Sequence, residues 1–244
     1  MGLAVQKMFD GIAGRYDFLN HFLSAGRDRA WREKAADCLP RSQRLRVLDL
    51  CGGTGDFWKT WANKYPIDID GDRNMERLAR GFIADFSLPM LLEARRKFSG
   101  PRDPGTVPVP YLVRMDALKP CFKEGRFDAV LCAYGMRNLD SVETGIDEMR
   151  RLLKPGGIFI TLEFFRPTSL FTRFFYHGLA PLCIPFLGWM FSSRRQAYAY
   201  LVESIRKFRS VGEYRECFRA RGFKDVSIIP CDFGISHIVT AVKG

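Results

Sequence analysis

The stretch Cys51-Gly52-Gly53-Thr54-Gly55-Asp56 has the residue types of a ligand-binding turn. Glycines let backbone amides come close to a ligand, and a helix beginning there turns its positive N-terminal end toward the same place. A small anionic or polar ligand is expected at this turn, although a tight strand-to-helix turn also needs glycine for steric reasons alone. Asp85, in Phe82-Ile83-Ala84-Asp85-Phe86-Ser87, offers a carboxylate that can accept hydrogen bonds from both hydroxyls of a ribose. Its competing role is an N-terminal charge or cap for the following helix. Further along, Asp116 in Arg114-Met115-Asp116-Ala117 could hold an adenine amino group, and Cys132-Ala133-Tyr134-Gly135 ends another apolar run. The acidic run Ile67-Asp68-Ile69-Asp70-Gly71-Asp72 lacks the spacing and closing Glu of a calcium loop. A solvated loop is expected there.

These residues need strands to end beside them. Arg46-Val47-Leu48-Asp49-Leu50 is a β-prone run leading into the glycines, and Phe57 to Lys64 can open a helix behind them. Similar strands are expected at Gly81–Asp85, Tyr111–Arg114, Phe127–Cys132, Ile158–Leu162, Val226–Ile229 and Ile238–Val242. Helices are expected over Ser87 to Phe98, Val142 to Leu153 and Val211 to Arg221, the last ending at Gly222. Arg102 to Pro110, punctuated by Pro and Gly, reads as a loop. Strands alternating with helices give an α/β fold, a mostly parallel seven-stranded sheet with helices on both faces. Ligands of such sheets bind outside the carboxyl ends of the strands, so four separate segments converge on one crevice.

The chain of 244 residues, 47% of them hydrophobic, suits one domain with a helical entry over 1–45 and an aromatic cap insertion over 164–210. Lys plus Arg exceed Asp plus Glu by 38 − 27 = 11, a balance that fits nucleic acid, an anionic membrane surface or an acidic ligand. No clustered basic tract with interleaved stacking aromatics supports the first, so no nucleic-acid partner is expected. Seven cysteines without metal spacing or a compact disulfide framework, and an N-terminus unlike a secretory signal, lead to the expectation of a cytoplasmic protein.

The spacing Asp49-x-Cys51-x-Gly53-x-Gly55 resembles the methyltransferase form of the loop more than the dinucleotide form, because the glycines alternate and an acid precedes them. S-adenosylmethionine (SAM) is then the expected ligand. Nearly the whole chain resembles the quinone-biosynthesis C-methyltransferase family that includes demethylmenaquinone and polyprenyl-benzoquinol methyltransferases. The resemblance rests on Phe9-Asp10-x-Ile12-Ala13-x-x-Tyr16-Asp17-x-x-Asn20-x-x-Leu23-Ser24 with Trp31, and on Leu48 to Asp56. It continues through Tyr134-Gly135-Met136-Arg137-Asn138-Leu139, Arg151 to Gly157 with Glu163, and Tyr198-x-Tyr200-Leu201-x-Glu203-Ser204-Ile205. The Leu-Lys-Pro-Gly-Gly element is common to many methyltransferases; the first and last blocks are more specific. The resemblance implies a Rossmann-like class I SAM-dependent methyltransferase fold, a lipophilic quinol substrate and no metal, with a homodimer compatible. It implies SAM binding by Asp49, Cys51, Gly53, Thr54, Gly55, Asp85, Asp116, Ala117 and Ala133, and places Tyr16 and Arg137 near the quinol.

Methylating a quinol carbon requires alignment with an electrophilic methyl and loss of a phenolic proton. Arg137 can stabilise a phenolate and order a water, since guanidinium stays protonated and offers several donors. Asp17, His21 and His177 are the base candidates, each with a structural partner or surface role as its alternative. Tyr16 can hydrogen-bond the substrate or pack under the N-terminal helix. Four departures fall on the substrate side: His21 stands where the family usually has an acid, Asp28 where it has a histidine, and Phe165 where it has a serine. The fourth, Asp232-Phe233-Gly234-Ile235-Ser236-His237, replaces a glycine-rich version. They leave open a SAM enzyme with another quinone or a soluble aromatic, and a non-catalytic SAM-fold module.

Phe164 to Phe191 is rich in aromatics with Arg166, Arg173 and His177 interspersed, and Pro167, Pro181 and Pro185 break it. It reads as a packed lid or as an interfacial cap over an apolar tail. Arg194, Arg195, Arg206, Lys207 and Arg209 could meet anionic headgroups, placing the enzyme peripherally on the inner face of the membrane.

Overall fold

The computed structural model describes residues 2–40, 45–64, 80–99, 109–170, 172 and 195–244. The acidic run 67–72, most of the loop 102–110, His177 and most of the aromatic insertion lie outside the described residues. Three helices enter the fold: α1 (Leu3–Ile12), α2 (Tyr16–Leu23) and α3 (Arg27–Ala36). Then come β1 (Arg46–Leu50), α4 (Asp56–Lys64), β2 (Arg80–Asp85), α5 (Leu88–Phe98), β3 (Tyr111–Arg114), β4 (Phe127–Ala133), α6 (Val142–Leu152) and β5 (Leu153–Glu163). Helices α7 (Arg195–Lys207) and α8 (Val211–Ala220) precede β6 (Phe223–Cys231) and β7 (Ser236–Lys243).

The sheet has seven strands in the order β3-β2-β1-β4-β5-β7-β6. All neighbours are parallel except β7, which runs antiparallel to both β5 and β6. The order reverses at β1, so a crevice forms between β1 and β4 at their carboxyl ends. Side chains alternate between the two faces. Leu48, Leu50, Val130 and Phe159 join a core with Ile146, Met149 and Phe218 from α6 and α8. Val47, Ile83, Leu131 and Ile160 join the opposite core with Trp31 from α3 and Trp58 and Trp61 from α4. A Cβ on Gly81 would sit 1.8 Å from the Trp58 ring, so the indole of α4 packs directly on the β2 backbone.

Local signals fix the helix starts. Ser87 accepts from Met90 N at 3.3 Å and Ser141 from Thr144 N at 3.1 Å, while Ser210 and Glu213 cap each other reciprocally. Two strands run longer than their apolar cores suggest. β5 extends back to Leu153 because Leu153 pairs with Phe127 before a register shift. β6 includes Pro230, which an edge strand tolerates because its missing N–H faces no ladder partner.

Candidate active site

The turn after β1 takes its shape from three alternate residues with left-handed backbone: Cys51 (φ 55), Gly53 (φ 55) and Gly55 (φ 79). This is the physical content of the alternating spacing. A Cβ on Gly55 would meet Ile83 and Phe98 at 2.7 Å, so that position is closed by packing. At Gly53, which is buried, the nearest atoms to a Cβ are Met90 Sδ and Tyr16 Cε1 at 4.0 Å, so the turn leaves room on its cleft side.

Beside it lies a cleft lined by residues of four strand ends and of the entry helices. Four strand ends form its floor: Leu50, Cys51 and Gly53 after β1, Ala84 and Asp85 of β2, Met115, Asp116 and Ala117 after β3, and Ala133, Tyr134 and Gly135 at β4. Phe9, Tyr16 and Met90 cover it from α1, α2 and α5, and Asn138 and Leu139 close one side. Of the residues expected to bind a nucleoside cofactor, Cys51, Gly53, Asp85, Asp116, Ala117 and Ala133 line this space. Asp49, Thr54 and Gly55 stand behind it.

Asp85 is half-buried and held in place by two backbone donors, Gly53 N at 2.9 Å and Ser87 N at 2.8 Å. Burial pushes its carboxyl up to about 6, against the pull of these donors. It therefore does not act as the helix cap; Ser87 does. Its remaining acceptor capacity faces the cleft. Asp116 accepts from Leu118 N at 2.9 Å through one oxygen. Asp49 is fully buried; one oxygen accepts from Trp58 N at 3.3 Å and the other has no partner among the described residues. Burial pushes it up to about 7. It fastens the start of α4 beneath the turn. Two cleft-facing acids, an open glycine and an apolar wall of Met90, Phe86 and Met115 fit a ribose, an adenine and the backbone of a bound nucleoside.

Thr54 and Asp17 lie on the far side of the turn. The Thr54 hydroxyl donates to Asp17 Oδ1, and Lys97 Nζ reaches Asp17 Oδ2 at 2.8 Å, Thr54 Oγ1 at 3.3 Å and Asp56 Oδ1. Asp17 is thus ion-paired to α5 and does not line the cleft. His21, the second base candidate, donates from Nδ1 to Asp28 Oδ2, 2.7 Å away, and its other nitrogen lies 3.8 Å from Asp56. Asp28 is buried and also receives Ser24 Oγ at 2.7 Å and the Arg32 guanidinium. Burial raises its carboxyl, but Arg32 and Ser24 outweigh burial and leave it below the usual range. These two departures form one pair: acid and histidine have exchanged places.

Tyr16 reaches the cleft, with its ring edge-on to Phe9 at 6.0 Å, and burial raises its phenol above the ordinary value. Arg137 lies just behind the wall. Its Nη1 bonds Glu163 Oε1 at 2.5 Å and Tyr134 O at 3.1 Å, its Nε bonds Ser204 Oγ at 3.2 Å, and its guanidinium sits 5.7 Å from the Phe164 centroid. Glu163 is fully buried, which raises its carboxyl even with Arg137 against it. The neighbour that does face the cleft is Asn138, whose Nδ2 donates to Tyr134 O at 3.0 Å and whose Oδ1 accepts from Tyr200 at 2.8 Å. Residue types alone gave no reason to single out Asn138; its only signal was adjacency to Arg137. The two remaining departures also meet: Phe165, 3% exposed, packs edge-on against His237 at 5.7 Å and lies tilted against Phe208 and Tyr214.

The model of the ubiE/COQ5 methyltransferase family matches residues 2–243. The chain is 36% identical over 250 residues to the ubiquinone/menaquinone biosynthesis C-methyltransferase UbiE of Geobacter sulfurreducens, covering all of this chain and 90% of that one. It is 37% identical to the demethylmenaquinone methyltransferase of Deinococcus radiodurans, over 91% of this chain and 86% of that one. Among solved structures it resembles human N-acetylserotonin methyltransferase in complex with SAM, with TM-score 0.62 and 16% identity over 96% of this chain and 56% of that one. A likeness at that identity carries the fold, the class I SAM-dependent methyltransferase fold, and no more.

Proposed function

The chain belongs to the ubiE/COQ5 methyltransferase family, and from that premise we propose that it methylates a ring carbon of a polyprenylated quinol in menaquinone or ubiquinone biosynthesis. SAM, the cofactor of this methyltransferase, supplies an electrophilic methyl group on a sulfonium. Asp85 and Asp116 hold its nucleoside, Asp85 by accepting from the ribose hydroxyls and Asp116 at the adenine. Cys51, Gly53, Ala117 and Ala133 shape the cradle, and Asp49, Thr54 and Gly55 support it from behind.

The observation that carries this reading is that cofactor-side acids and an aromatic, hydrogen-bonding acceptor side share one cleft: Asp85 and Asp116 on the floor, Tyr16 and Asn138 at its edge. An acceptor ring lying between them meets the Tyr16 hydroxyl and the Asn138 amide. The Arg137 guanidinium behind that wall stabilises the phenolate through its field, and Glu163 keeps it fixed. The quinol gives its phenolic proton to water; bound SAM would supply the methyl to the ring carbon, its sulfonium becoming a neutral thioether as the C–S bond breaks, and the displaced ring proton would pass to water as aromaticity is restored. Asp17 is engaged with Thr54 and Lys97, and His21 with Asp28, so neither serves as the base.

Product analysis with a demethylmenaquinol and with a polyprenyl-benzoquinol tests the reading. A methylated product from either supports it and names the substrate; methylation of neither, by a chain that binds SAM, would sink it.

A peripheral place at an anionic membrane surface is part of the same proposal. It is supported by the charge excess of 11 and by the exposed apolar side chains Phe18, Leu170 and Phe233. No helix among the described residues is long and apolar enough to cross a membrane. Flotation with anionic liposomes at low salt should carry the protein upward, and failure to float would refute the membrane part alone.

A further inference from the structure

Asn138 is held from two sides, and the chemistry of the two partners fixes which way its side-chain amide points. The Tyr134 carbonyl oxygen can only accept, so the atom 3.0 Å from it must be Nδ2. That leaves Oδ1 toward the Tyr200 hydroxyl at 2.8 Å, and the hydroxyl must donate. Asn138 is 8% exposed and lines the cleft, so the hydrogen-bonding edge it presents there is set by this arrangement. The same helix reaches the neighbouring residue. Ser204, one turn after Tyr200 on the same face of α7, donates to Leu201 O at 2.9 Å and therefore accepts from Arg137 Nε at 3.2 Å. The Tyr134 carbonyl joins the two, since it also accepts from Arg137 Nη1 at 3.1 Å.

We propose that Tyr200 is a positioning residue for methyl transfer: its hydroxyl locks the Asn138 amide so that the second Nδ2 hydrogen is presented to the ring oxygen of the acceptor. The proposal rests on the quinol-methylating reading and adds a residue 62 positions away in sequence that acts only through Asn138. Burial raises the Tyr200 phenol above its ordinary value, so it remains a protonated donor over the working pH range. Without that hydroxyl, Asn138 Oδ1 is left buried and unpaired, and the amide keeps only its anchor on the Tyr134 carbonyl. Held at one end alone, the amide tilts about that bond, and the second Nδ2 hydrogen is no longer kept on the acceptor oxygen.

Tyr200→Phe keeps the ring and removes only the hydroxyl. Its kcat on the accepted quinol should fall about tenfold, less than the loss of a whole oxyanion donor, with SAM affinity by calorimetry unchanged. In a double-mutant cycle, Tyr200→Phe should cost nothing further in an Asn138→Ala background. Independently of turnover, the side-chain amide NMR signals identified by their loss in Asn138→Ala should shift or broaden in Tyr200→Phe. Additive losses in the cycle, a parallel loss of SAM affinity, or unperturbed Asn138 signals would each overturn the proposal. A wild-type chain that methylates no quinol strikes the functional reading, and the presentation to an acceptor oxygen falls with it; unchanged signals strike Tyr200 alone.

Discussion

His21 Nδ1 lies 2.7 Å from Asp28 Oδ2, across the turn that joins α2 to α3. The resemblance sets both residues apart from the family's pattern, and in the fold each supplies the partner that the other lacks. The pair sits on a buried network, because Asp28 also neutralises Arg32, which is 4% exposed, and His21 approaches Asp56 of the glycine turn. Contact between residues so placed makes their substitution energies non-additive.

Replacing one member alone should therefore be costly. Asp28→His leaves Arg32 buried without its carboxylate, for which a loss of about 3–5 kcal/mol is expected. His21→Asp sets a third carboxylate beside Asp28 and Asp56. The double exchange, His21→Asp with Asp28→His, should recover at least about 1 kcal/mol over the sum of the single changes in denaturant unfolding. Strict additivity would show that the two departures are unrelated.

Asp85→Ala should weaken SAM binding about 10–100-fold by calorimetry, the worth of hydrogen bonds to a charged group. The affinity of the unaltered enzyme should also fall with pH. The carboxylate form is the one that accepts from the ribose, and Asp85 in the free protein is pushed up to about 6. Binding should be full above that pH and weaken as pH falls through it, by up to about tenfold per unit. Asp85→Asn should abolish this dependence; a slope that survives the substitution belongs to another group.

Asp49 governs stability. Its folded carboxyl is pushed up to about 7 from 3.8, so ionisation disfavours the folded state. The penalty is absent below pH 3.8, grows as pH rises, and is complete above about 7. Asp49→Asn keeps an oxygen for Trp58 N and removes the buried charge. Its thermal midpoint should match the wild type or fall slightly below it at about pH 3, and exceed it by a growing margin up to pH 8. A midpoint lower than wild type at pH 8 would show that the carboxylate is stabilised by more than the Trp58 amide.

Arg137→Ala should chiefly slow turnover, by about 10²–10³-fold, while SAM affinity stays near the wild-type value. The buried Glu163 carboxylate then lacks its cation, so a stability loss accompanies the kinetic one. Glu163→Gln separates the effects: Arg137 keeps its charge but loses its anchor, and kcat should fall less than in Arg137→Ala. Equal SAM affinity losses in both variants would move Arg137 to the cofactor side.

The chain by itself determined the strands, the glycine turn and the acids at Asp85 and Asp116. Those features are local: apolar runs, glycines at alternate positions and acids just past strand ends are readable within a few residues, and a parallel sheet brings its carboxyl ends together whatever the details of packing. The resemblance pointed to Tyr16 and Arg137 in the same way, from short blocks. Tertiary packing decided how each side chain is engaged. Asp49 and Thr54 belong to the motif, yet their side chains are engaged away from the cleft, Asp49 with the start of α4 and Thr54 with Asp17 and Lys97. Asp17 became the partner of Lys97, 80 positions away, and Asn138 gained its orientation from Tyr200, 62 positions away. The exchange of His21 and Asp28, and the contact of Phe165 with His237, read as isolated departures along the chain. A hydrogen bond depends on distances of a few tenths of an ångström between groups on separately folded elements, and a linear pattern does not encode those distances.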